Sequence, residues 1–288
     1  MDITVVIPVK NEAKNLLRCI EAVRSMGPVL VVDSGSTDNT PEVAKSAGAE
    51  VLDFQWNGQF PKKRNWTLRN YDFKTEWVLF LDADEFVSSA FIDELHSAIE
   101  NTEHVGFWLN FENYFMGKLL KHGDPMRKLA LFRVGAGEYE RIDEDGWSHL
   151  DMEVHEHPVL NGSVGEIKAP IQHNDFRGLK HYIAKHNEYS SWEASRYLRL
   201  SGSEGVPSAA TRPGAGRTGS SVEWQGLTDR QKKKYRNLAK WWFAPAYFLA
   251  TYIFKKGFLD GAVGFHFALA KAIYFYQIRL KIMENRNH

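Results

Sequence analysis

Residues 3–12 read Ile-Thr-Val-Val-Ile-Pro-Val-Lys-Asn-Glu, an apolar run that ends in a polar turn. Apolar and mostly β-branched residues on both alternating sets of positions are typical of a strand covered on both faces in a parallel sheet. Leu16, Ile20 and Val23 follow at helical spacing, and Asn11 is placed to cap that helix. The stretch therefore predicts the first strand and crossover helix of an α/β fold.

The alternation of strand and helix continues through the first hundred residues. Further strands are predicted over Val29–Val32, Glu50–Phe54 and Trp77–Leu81, with helices between them. Right-handed crossovers then give an open, mostly parallel sheet, which binds ligands at the carboxyl ends of its strands. Beyond about residue 101 the alternation weakens, and residues 201–228, rich in small residues at their start, predict a flexible loop or linker.

The charges of this chain are unevenly distributed, although 36 basic and 36 acidic residues cancel. Neutrality overall does not indicate a nucleic-acid partner. Residues 230–288 carry 12 Lys or Arg against two acids, together with 14 of the 38 aromatic residues. Such a basic aromatic tail is typical of helices on an anionic membrane surface, and a pair of core helices whose lysines face water is the alternative.

The tail is not expected to span a membrane. Trp241–Phe254 has only 14 uncharged residues, and Asp260, His266 and Lys271 interrupt the next apolar stretch. The single cysteine, Cys19, excludes an intramolecular disulfide and fits a reducing compartment. The first apolar run lacks the basic start and long apolar core of a signal peptide, so we expect a cytoplasmic chain.

Polar clusters follow the first two predicted strands. Residues 8–12 (Pro-Val-Lys-Asn-Glu) and 33–38 (Asp-Ser-Gly-Ser-Thr-Asp) are turns whose backbone N–H groups and short side chains can reach a nucleotide. Asp33 could accept from a pyrimidine N–H or a ribose hydroxyl, while the alternative for this cluster is helix capping. Residues 62–65 (Lys-Lys-Arg-Asn) place cations at a helix start, which suits a bound diphosphate or a solvated basic turn.

A fourth cluster, Leu81-Asp82-Ala83-Asp84-Glu85, directly follows a buried strand. If the segment is extended, Asp82 and Asp84 point the same way, and two such carboxylates hold Mg²⁺ or Mn²⁺. The alternative is that the acids cap a helix that starts near Ser88. Their position at the end of a strand favours the metal site.

These motifs resemble those of the family 2 glycosyltransferases. Val-Ile-Pro-Val-Lys-Asn-Glu, Val-Asp-Ser-Gly-Ser-Thr-Asp, Lys-Arg-Asn and Asp-Ala-Asp occur in that family's order and spacing, tightly over residues 1–90 and loosely up to about 200. The chain is similar in particular to bacterial lipopolysaccharide-core β-1,4-glucosyltransferases and related surface-polysaccharide enzymes. The shared segments are Asp82–Glu85, Val154–Glu156 and Lys255–Gly261.

The resemblance implies a single large GT-A-type α/β domain with a C-terminal helical segment that associates with membranes. It also implies a UDP-sugar donor, a Mg²⁺ or Mn²⁺ cofactor and inversion at the anomeric carbon. The resemblance implies that Pro8, Glu12 and Asp33 bind the base and the ribose, and that Arg64 binds the pyrophosphate. It implies that Asp82 contacts the ribose or a metal-bound water. Asp84 is implied as a metal ligand, and His173, at a predicted strand end, as a further ligand of metal or diphosphate.

Inversion by direct displacement also needs a general base, expected from residues 101–200. Glu156 is our assignment, with Glu153 and Asp151 as rivals. A zinc site through His155, His157 and either His149 or His173 is disfavoured, because the spacing is not the helical pair of zinc hydrolases. Arg127, Lys128 and Arg133 could bind phosphate or an acidic acceptor, or be surface cations.

The sequence thus predicts an inverting, metal-dependent enzyme that moves a hexose, with glucose expected, from a UDP-sugar to a lipid-linked or lipopolysaccharide-core saccharide. Residues 1–100 would bind the donor, and residues 101–200 would bind the acceptor and supply the base. Residues 229–288 would attach the protein peripherally to the cytoplasmic face of the inner membrane. The alternatives are a sugar-phosphate nucleotidyltransferase, which should have a Gly-rich loop after the first strand, and a non-catalytic sugar-nucleotide-binding protein at the membrane.

Overall fold

A computed structural model describes residues 2–142, 148, 157–175, 177–201, 224 and 227–287. The chain forms two compact units. The α/β unit comprises Met1–Lys121 and Pro125–Arg177, and the helical unit comprises His122–Asp124 and Gly178–His288. The predicted loop or linker over 201–228 falls largely outside the described residues.

The α/β unit contains eleven strands and four helices among its described residues. The strands are β1 Ile3–Val9, β2 Val29–Asp33, β3 Glu50–Asp53, β4 Trp77–Phe80, β5 Glu85–Phe86, β6 Gly106–Phe115, β7 Lys118–Leu120, β8 Met126–Arg133, β9 Gly137–Tyr139, β10 Pro158–Leu160 and β11 Val164–His173. The helices are α1 Ala13–Val23, α2 Thr40–Ser46, α3 Lys63–Asn70 and α4 Ser89–Ile99. The four predicted strands of the first hundred residues are all present within one or two residues of their expected ends.

The main sheet has the strand order β3-β2-β1-β4-β8-β6-β11-β5, and β7 pairs with β6. The first four strands are parallel to one another. Beyond β4 the sheet becomes mixed, because β8 runs antiparallel to both β4 and β6 while β11 runs parallel to β6. The predicted α/β fold with an open sheet is therefore confirmed, and the sheet is parallel where the nucleotide motifs lie.

Both faces of β1 are buried, which explains its unbroken apolar run. Ile3, Val5 and Ile7 belong to a core that includes residues of α1 and α4. Val6 belongs to the core on the other face, against which Trp66 of α3 packs. The helices thus cover the sheet on two sides, and the strand ends that carry the polar clusters remain at one edge.

The predicted cap of α1 is wrong. Asn11 has a left-handed backbone (φ 58°), and its side-chain oxygen accepts from the backbone N–H of Thr37 at 2.7 Å. The first amides of α1 are instead bound by the loop after β2, since Glu12 N–H donates to Thr40 Oγ1 at 2.8 Å and Ala13 N–H to Asp38 Oδ2 at 3.3 Å. Asp38 of the second cluster therefore bonds the start of the first helix, and it also accepts from the backbone N–H of Thr40 at the start of α2 at 3.1 Å. These bonds join the two loops.

The helical unit is built on two long helices, α5 Leu179–Ser201 and α8 Gly261–Asn287. Between them lie α6 Asp229–Asn237 and α7 Phe243–Leu249, and α7 continues as a π-helical turn over Ala250–Phe254. A 3₁₀ turn, Gly257–Asp260, then leads into α8. Ala194 and Leu200 of α5 share a core with Tyr274, Ile278 and Ile282 of α8.

The charges that interrupt the tail do not by themselves prevent it from spanning a membrane. The helical stretch Gly257–Arg286 is, by length and composition alone, long and apolar enough to cross one. The sequence argument counted uninterrupted apolar runs, whereas a continuous helix tolerates an occasional charge. Core helices of soluble proteins meet the same criterion, so this finding by itself does not define how the helix is used.

Candidate active site

The segment that follows β4 is a turn rather than an extended strand end. Glu85 N–H donates to the carbonyl oxygen of Asp82 at 3.0 Å, and Ala83 between the two aspartates is buried. The expected same-side geometry of Asp82 and Asp84 is therefore wrong, because it requires an extended backbone. Each aspartate faces its own set of cations. We call residues Asp82–Glu85 the acidic turn.

The alternative role of the acidic turn as a helix cap is also excluded. Helix α4 is capped by Ser88, whose hydroxyl accepts from the backbone N–H of Phe91 at 3.2 Å. The three acids lie before this cap and face other side chains. Their charge therefore serves a function other than capping the N-terminus of α4.

Two cations hold the carboxylate of Asp82. Arg64 Nη2 lies 2.8 Å from Asp82 Oδ1, and Lys128 Nζ lies 2.6 Å from Asp82 Oδ2. Lys128 also pairs with Glu85, whose other carboxylate oxygen accepts from the backbone N–H of Asp82 at 3.0 Å. The turn is thus closed on itself through Glu85, and Lys128 joins its two ends.

Glu85 is fully buried, which makes its charge depend on Lys128. Burial raises the pKa of Glu85, and the Lys128 ammonium opposes that rise. Burial would lower the pKa of Lys128, but Asp82 and Glu85 outweigh it, so this pKa lies above its ordinary value. Lys128 therefore remains charged at physiological pH and acts as the counter-ion of the turn, rather than as the free phosphate-binding cation considered from the sequence.

Asp84 faces His173, which the sheet brings to the acidic turn. The β5–β11 pairing places His173 opposite Glu85, and Asn174 N–H donates to the carbonyl oxygen of Asp84 at 2.9 Å. His173 Nε2 lies 3.5 Å from Asp84 Oδ2, and its Nδ1 lies 3.2 Å from Asn113 Oδ1. Burial disfavours a charge on this imidazole, but Asp84 outweighs it and raises the pKa of His173.

Arg177 is a site residue that sequence reasoning missed. Its Nη1 lies 2.5 Å from Glu12 Oε1, its Nε and Nη2 lie 2.8 and 2.9 Å from the carboxylate of Asp175, and its Nη2 lies 3.8 Å from Asp84 Oδ2. The side chain is only 12% exposed. The signal that could have found it is its place four residues after His173, in the polar loop that follows β11.

The predicted nucleotide residues lie at the carboxyl ends of β1 and β2. Pro8 and Asp33 are within one residue of those strand ends, and Glu12 follows β1 and bonds Arg177. The buried carboxylate of Asp33 accepts from the backbone N–H groups of Gly35 and Ser36 at 3.1 and 3.0 Å. Asp33 therefore organises its own loop, and the nucleotide-binding roles of these residues stay predictions.

Several other basic residues serve the scaffold instead. Lys63 is buried and donates to the carbonyl oxygen of Val9 at 2.9 Å, which ties α3 to the end of β1. Arg127 lies 3.5 Å from Glu166, and Arg133 pairs with Glu76. Among residues 62–65, Arg64 bonds the acidic turn through Asp82.

The predicted general base lies outside the described residues. This holds for Glu156 and its rivals Glu153 and Asp151, and for His149 and His155 of the disfavoured zinc site. Their assignment stays a prediction. In the part of the chain that the structure describes, no group of three or more His, Cys, Asp or Glu side chains could hold a metal ion by itself.

Asp84 and His173 nevertheless fit a metal that its substrate helps to bind. Mg²⁺ and Mn²⁺ take one or two protein carboxylates and complete their shell with water and substrate phosphates, and Mn²⁺ also accepts imidazole. The acceptor oxygen of Asn113 next to Nδ1 leaves Nε2 facing Asp84. An imidazole oriented by such a second bond is the usual arrangement for a metal ligand.

Comparison with known proteins identifies the family of the chain. Residues 4–152 match the model of glycosyl transferase family 2. The chain belongs to this family. An uncharacterised glycosyltransferase of Rickettsia prowazekii is 36% identical over 205 residues, which are 68% of each chain. The expected activity class is therefore confirmed, and the protein is a glycosyltransferase.

Two further relatives are more distant. The lipopolysaccharide core biosynthesis glycosyltransferase LpsC of Rhizobium meliloti is 26% identical over 197 residues, 65% of this chain and 68% of that protein. The second is glucosyl-3-phosphoglycerate synthase from Mycobacterium tuberculosis, in a crystal structure with Mn²⁺, UDP and glucosyl-3-phosphoglycerate. The two sequences are 23% identical, the superposition covers 40% of this chain and 44% of that chain, and the TM-score is 0.31. This structural likeness is too distant to bear on donor or acceptor.

We predict that Lys128→Met destabilises the family 2 enzyme by about 2–4 kcal/mol, because the buried charge of Glu85 loses its counter-ion. The adjacent Arg127→Met, which breaks a half-exposed pair with Glu166, should change the free energy of unfolding by about 1 kcal/mol or less. Urea unfolding of both variants measures the difference. Equal changes in the two variants would contradict the counter-ion role.

Proposed function

We propose that this family 2 glycosyltransferase moves a hexose from a UDP-sugar to a lipid-linked or lipopolysaccharide-core saccharide, with inversion and with Mg²⁺ or Mn²⁺. Glucose is the proposed sugar. The observation that carries the proposal is the acidic turn at the end of β4, with Arg64 and Lys128 on Asp82 and with His173 and Arg177 beside Asp84. Asp84 and His173 would serve as metal ligands, and the guanidinium groups of Arg64 and Arg177 suit a diphosphate.

The donor's nucleoside would lie at the carboxyl ends of β1 and β2, where Pro8, Glu12 and Asp33 are placed. Open α/β sheets bind their ligands at this edge. Arg64 would contact the diphosphate, since its guanidinium already reaches the acidic turn and stacks 5.2 Å from the ring centre of Tyr139. Asp82 would hold Arg64 in place and accept from the ribose or from a metal-bound water.

Asp84 and His173 would hold the metal. When bound, the ion would supply Lewis-acid neutralisation of the charge that develops on the departing UDP. Arg177 would add a fixed positive charge next to it, because Asp175 holds its guanidinium through two bonds. Asn113 would keep the imidazole of His173 oriented through Nδ1.

The acceptor hydroxyl must lose a proton as it attacks the anomeric carbon. We assign Glu156 as the base that takes this proton, with Glu153 and Asp151 as rivals. A base on the face opposite to the leaving diphosphate is what direct displacement with inversion requires. The residues of the acidic turn, which face the leaving group, would not take this role.

The acceptor is proposed from two observations. A relative of the chain, LpsC, is named for lipopolysaccharide core biosynthesis, and the tail beyond residue 229 is basic and rich in aromatic residues. Both suit an enzyme that works peripherally at the cytoplasmic face of the inner membrane on an acceptor held there. The family match supports glycosyl transfer over the nucleotidyltransferase alternative. The variants below test the other alternative, that the protein binds sugar nucleotides without catalysing a reaction.

We predict that purified protein with Mn²⁺ releases UDP slowly from a UDP-hexose, and that Asp84→Asn lowers this rate at least about a hundredfold. Asp93→Asn, an exposed change on α4, is the matched control and should leave the rate unaltered. A panel of UDP-, GDP-, CMP- and dTDP-sugars with a nucleotide-release read-out provides the measurement. Release that is equally fast with Asp84→Asn, or no release with any donor even when candidate acceptors are added, would refute the proposal.

We predict that Glu156→Gln lowers kcat of transfer by about 10²–10⁴-fold, while donor binding measured by calorimetry stays the same, because a base acts on the acceptor and not on the donor. Glu153→Gln and Asp151→Asn are the matched comparisons and should retain most of the activity. If one of them loses activity while Glu156→Gln keeps it, that rival is the base.

A further inference from the structure

One side of α8 is apolar and exposed along most of the helix. Its large exposed side chains, at spacings of three or four residues, lie on one face of the helix. They are 38–48% exposed and comprise Phe265, Leu269, Ile273, Tyr276, Leu280 and Met283. We call these six residues the α8 stripe. The opposite side of α8 carries the buried residues Tyr274, Ile278 and Ile282.

The apolar surface continues into the turn before α8. Phe254, Phe258 and Leu259 are 81%, 46% and 55% exposed. The turn is held firmly, because Gly123 N–H donates to the carbonyl oxygen of Lys255 at 2.9 Å and the ring of Tyr252 lies 5.6 Å from that of Phe265. Large apolar side chains are thus displayed on an ordered scaffold.

The charges around the stripe are mostly positive. Residues 261–283 contain no Asp or Glu. Asp260, the acid before α8, is largely buried and bonds the backbone N–H of His122 at 2.9 Å. Exposed Lys256 and exposed Lys255, which pairs with Asp124 at 2.8 Å, precede the helix. Exposed Arg286 is near its end, two residues after exposed Glu284. An approaching surface therefore meets an apolar face that has no acid of its own between residues 261 and 283, with Lys255 and Lys256 before it and Arg286 after it.

An exposed apolar helix face with cations near it favours an anionic lipid surface as the partner. Monomeric soluble proteins rarely expose contiguous apolar patches of this kind. An apolar helix face with aromatic residues and flanking Lys and Arg is the chemistry of helices that lie in the headgroup region, where cations attract anionic lipids. A second copy of the chain would instead bring the same cations against each other.

The inner side of α8 argues for a helix lying in the membrane plane. Lys281 Nζ bonds Asn187, Ser190 and Ser191 of α5 at 2.7–2.8 Å. If α8 crossed the bilayer with these contacts intact, α5 and its buried pair between Glu193 and Lys234 would enter hydrocarbon. Charged side chains at that depth are costly. Shallow insertion of the stripe leaves α5 in water.

We propose that the α8 stripe and the adjoining turn bind the headgroup boundary of an anionic bilayer, with α8 parallel to the membrane. The inference rests on the proposed function, in which the acceptor is held at a membrane. It names the residues that contact that membrane. It assigns the contact to one helix face, whereas the sequence predicts only that residues 229–288 as a whole meet an anionic membrane surface.

Co-sedimentation of the full-length protein with vesicles of phosphatidylcholine, with and without phosphatidylglycerol, tests the proposal. Wild-type protein should bind the anionic vesicles more tightly, and the double variant Leu269→Gln/Ile273→Gln should bind them about tenfold more weakly or worse. Met116→Gln is the matched control, since Met116 is 59% exposed in the α/β unit. It should bind as the wild type does, and alkaline carbonate should release the bound wild-type protein.

Three results would overturn the proposal. The double variant could bind anionic vesicles as well as the wild type does, although its circular dichroism shows that it is folded. In the second result, light scattering shows that the wild type is a dimer and that the double variant is a monomer, while both bind vesicles equally. In the third result, carbonate fails to release the bound protein. Slow donor hydrolysis in detergent-free solution should be the same in the double variant and wild type. Loss of hydrolysis in every protein would refute the proposed function and leave the vesicle result standing.

Discussion

The pairing of Lys128 with Asp82 and Glu85 is the interaction on which the site depends. Glu85 is fully buried and bonds the backbone of Asp82, so the acidic turn keeps its shape only while a counter-ion is present. Lys128 comes from β8, the strand at which the sheet turns antiparallel. The mixed half of the sheet therefore supplies the charge that stabilises the motif at the end of the parallel half.

A second coupling runs through the short strand β5. Its pairing with β11 brings His173 to Asp84 and starts the loop that carries Asp175 and Arg177. Arg177 then reaches back to Glu12 after β1. Three segments that are distant in sequence thus share charges around one aspartate. A metal bound with a diphosphate would bring both a cation and an anion into this network, so it would keep the local charge balanced.

The sequence predicts much of the fold because parallel strands leave a strong local signal. Ile3–Val9 is buried on both faces, and it forms the first strand that the sequence predicts. The position of the acidic turn also follows from the sequence, but its shape does not, since the hydrogen bond from Glu85 N–H to the carbonyl oxygen of Asp82 changes where Asp82 and Asp84 point. The pairing of Lys128 with Glu85 and the contact of Arg177 with Glu12 could not be predicted, because these partners are 43 and 165 residues apart.

The central claim is that Asp84 binds a metal together with the donor's diphosphate. Titration of Mn²⁺ followed by electron paramagnetic resonance, with and without UDP, tests it most directly. The account predicts that UDP tightens Mn²⁺ binding by about tenfold or more in the wild type and has no such effect in Asp84→Asn. Mn²⁺ binding that ignores UDP, or that is equally UDP-dependent in Asp84→Asn, would contradict it.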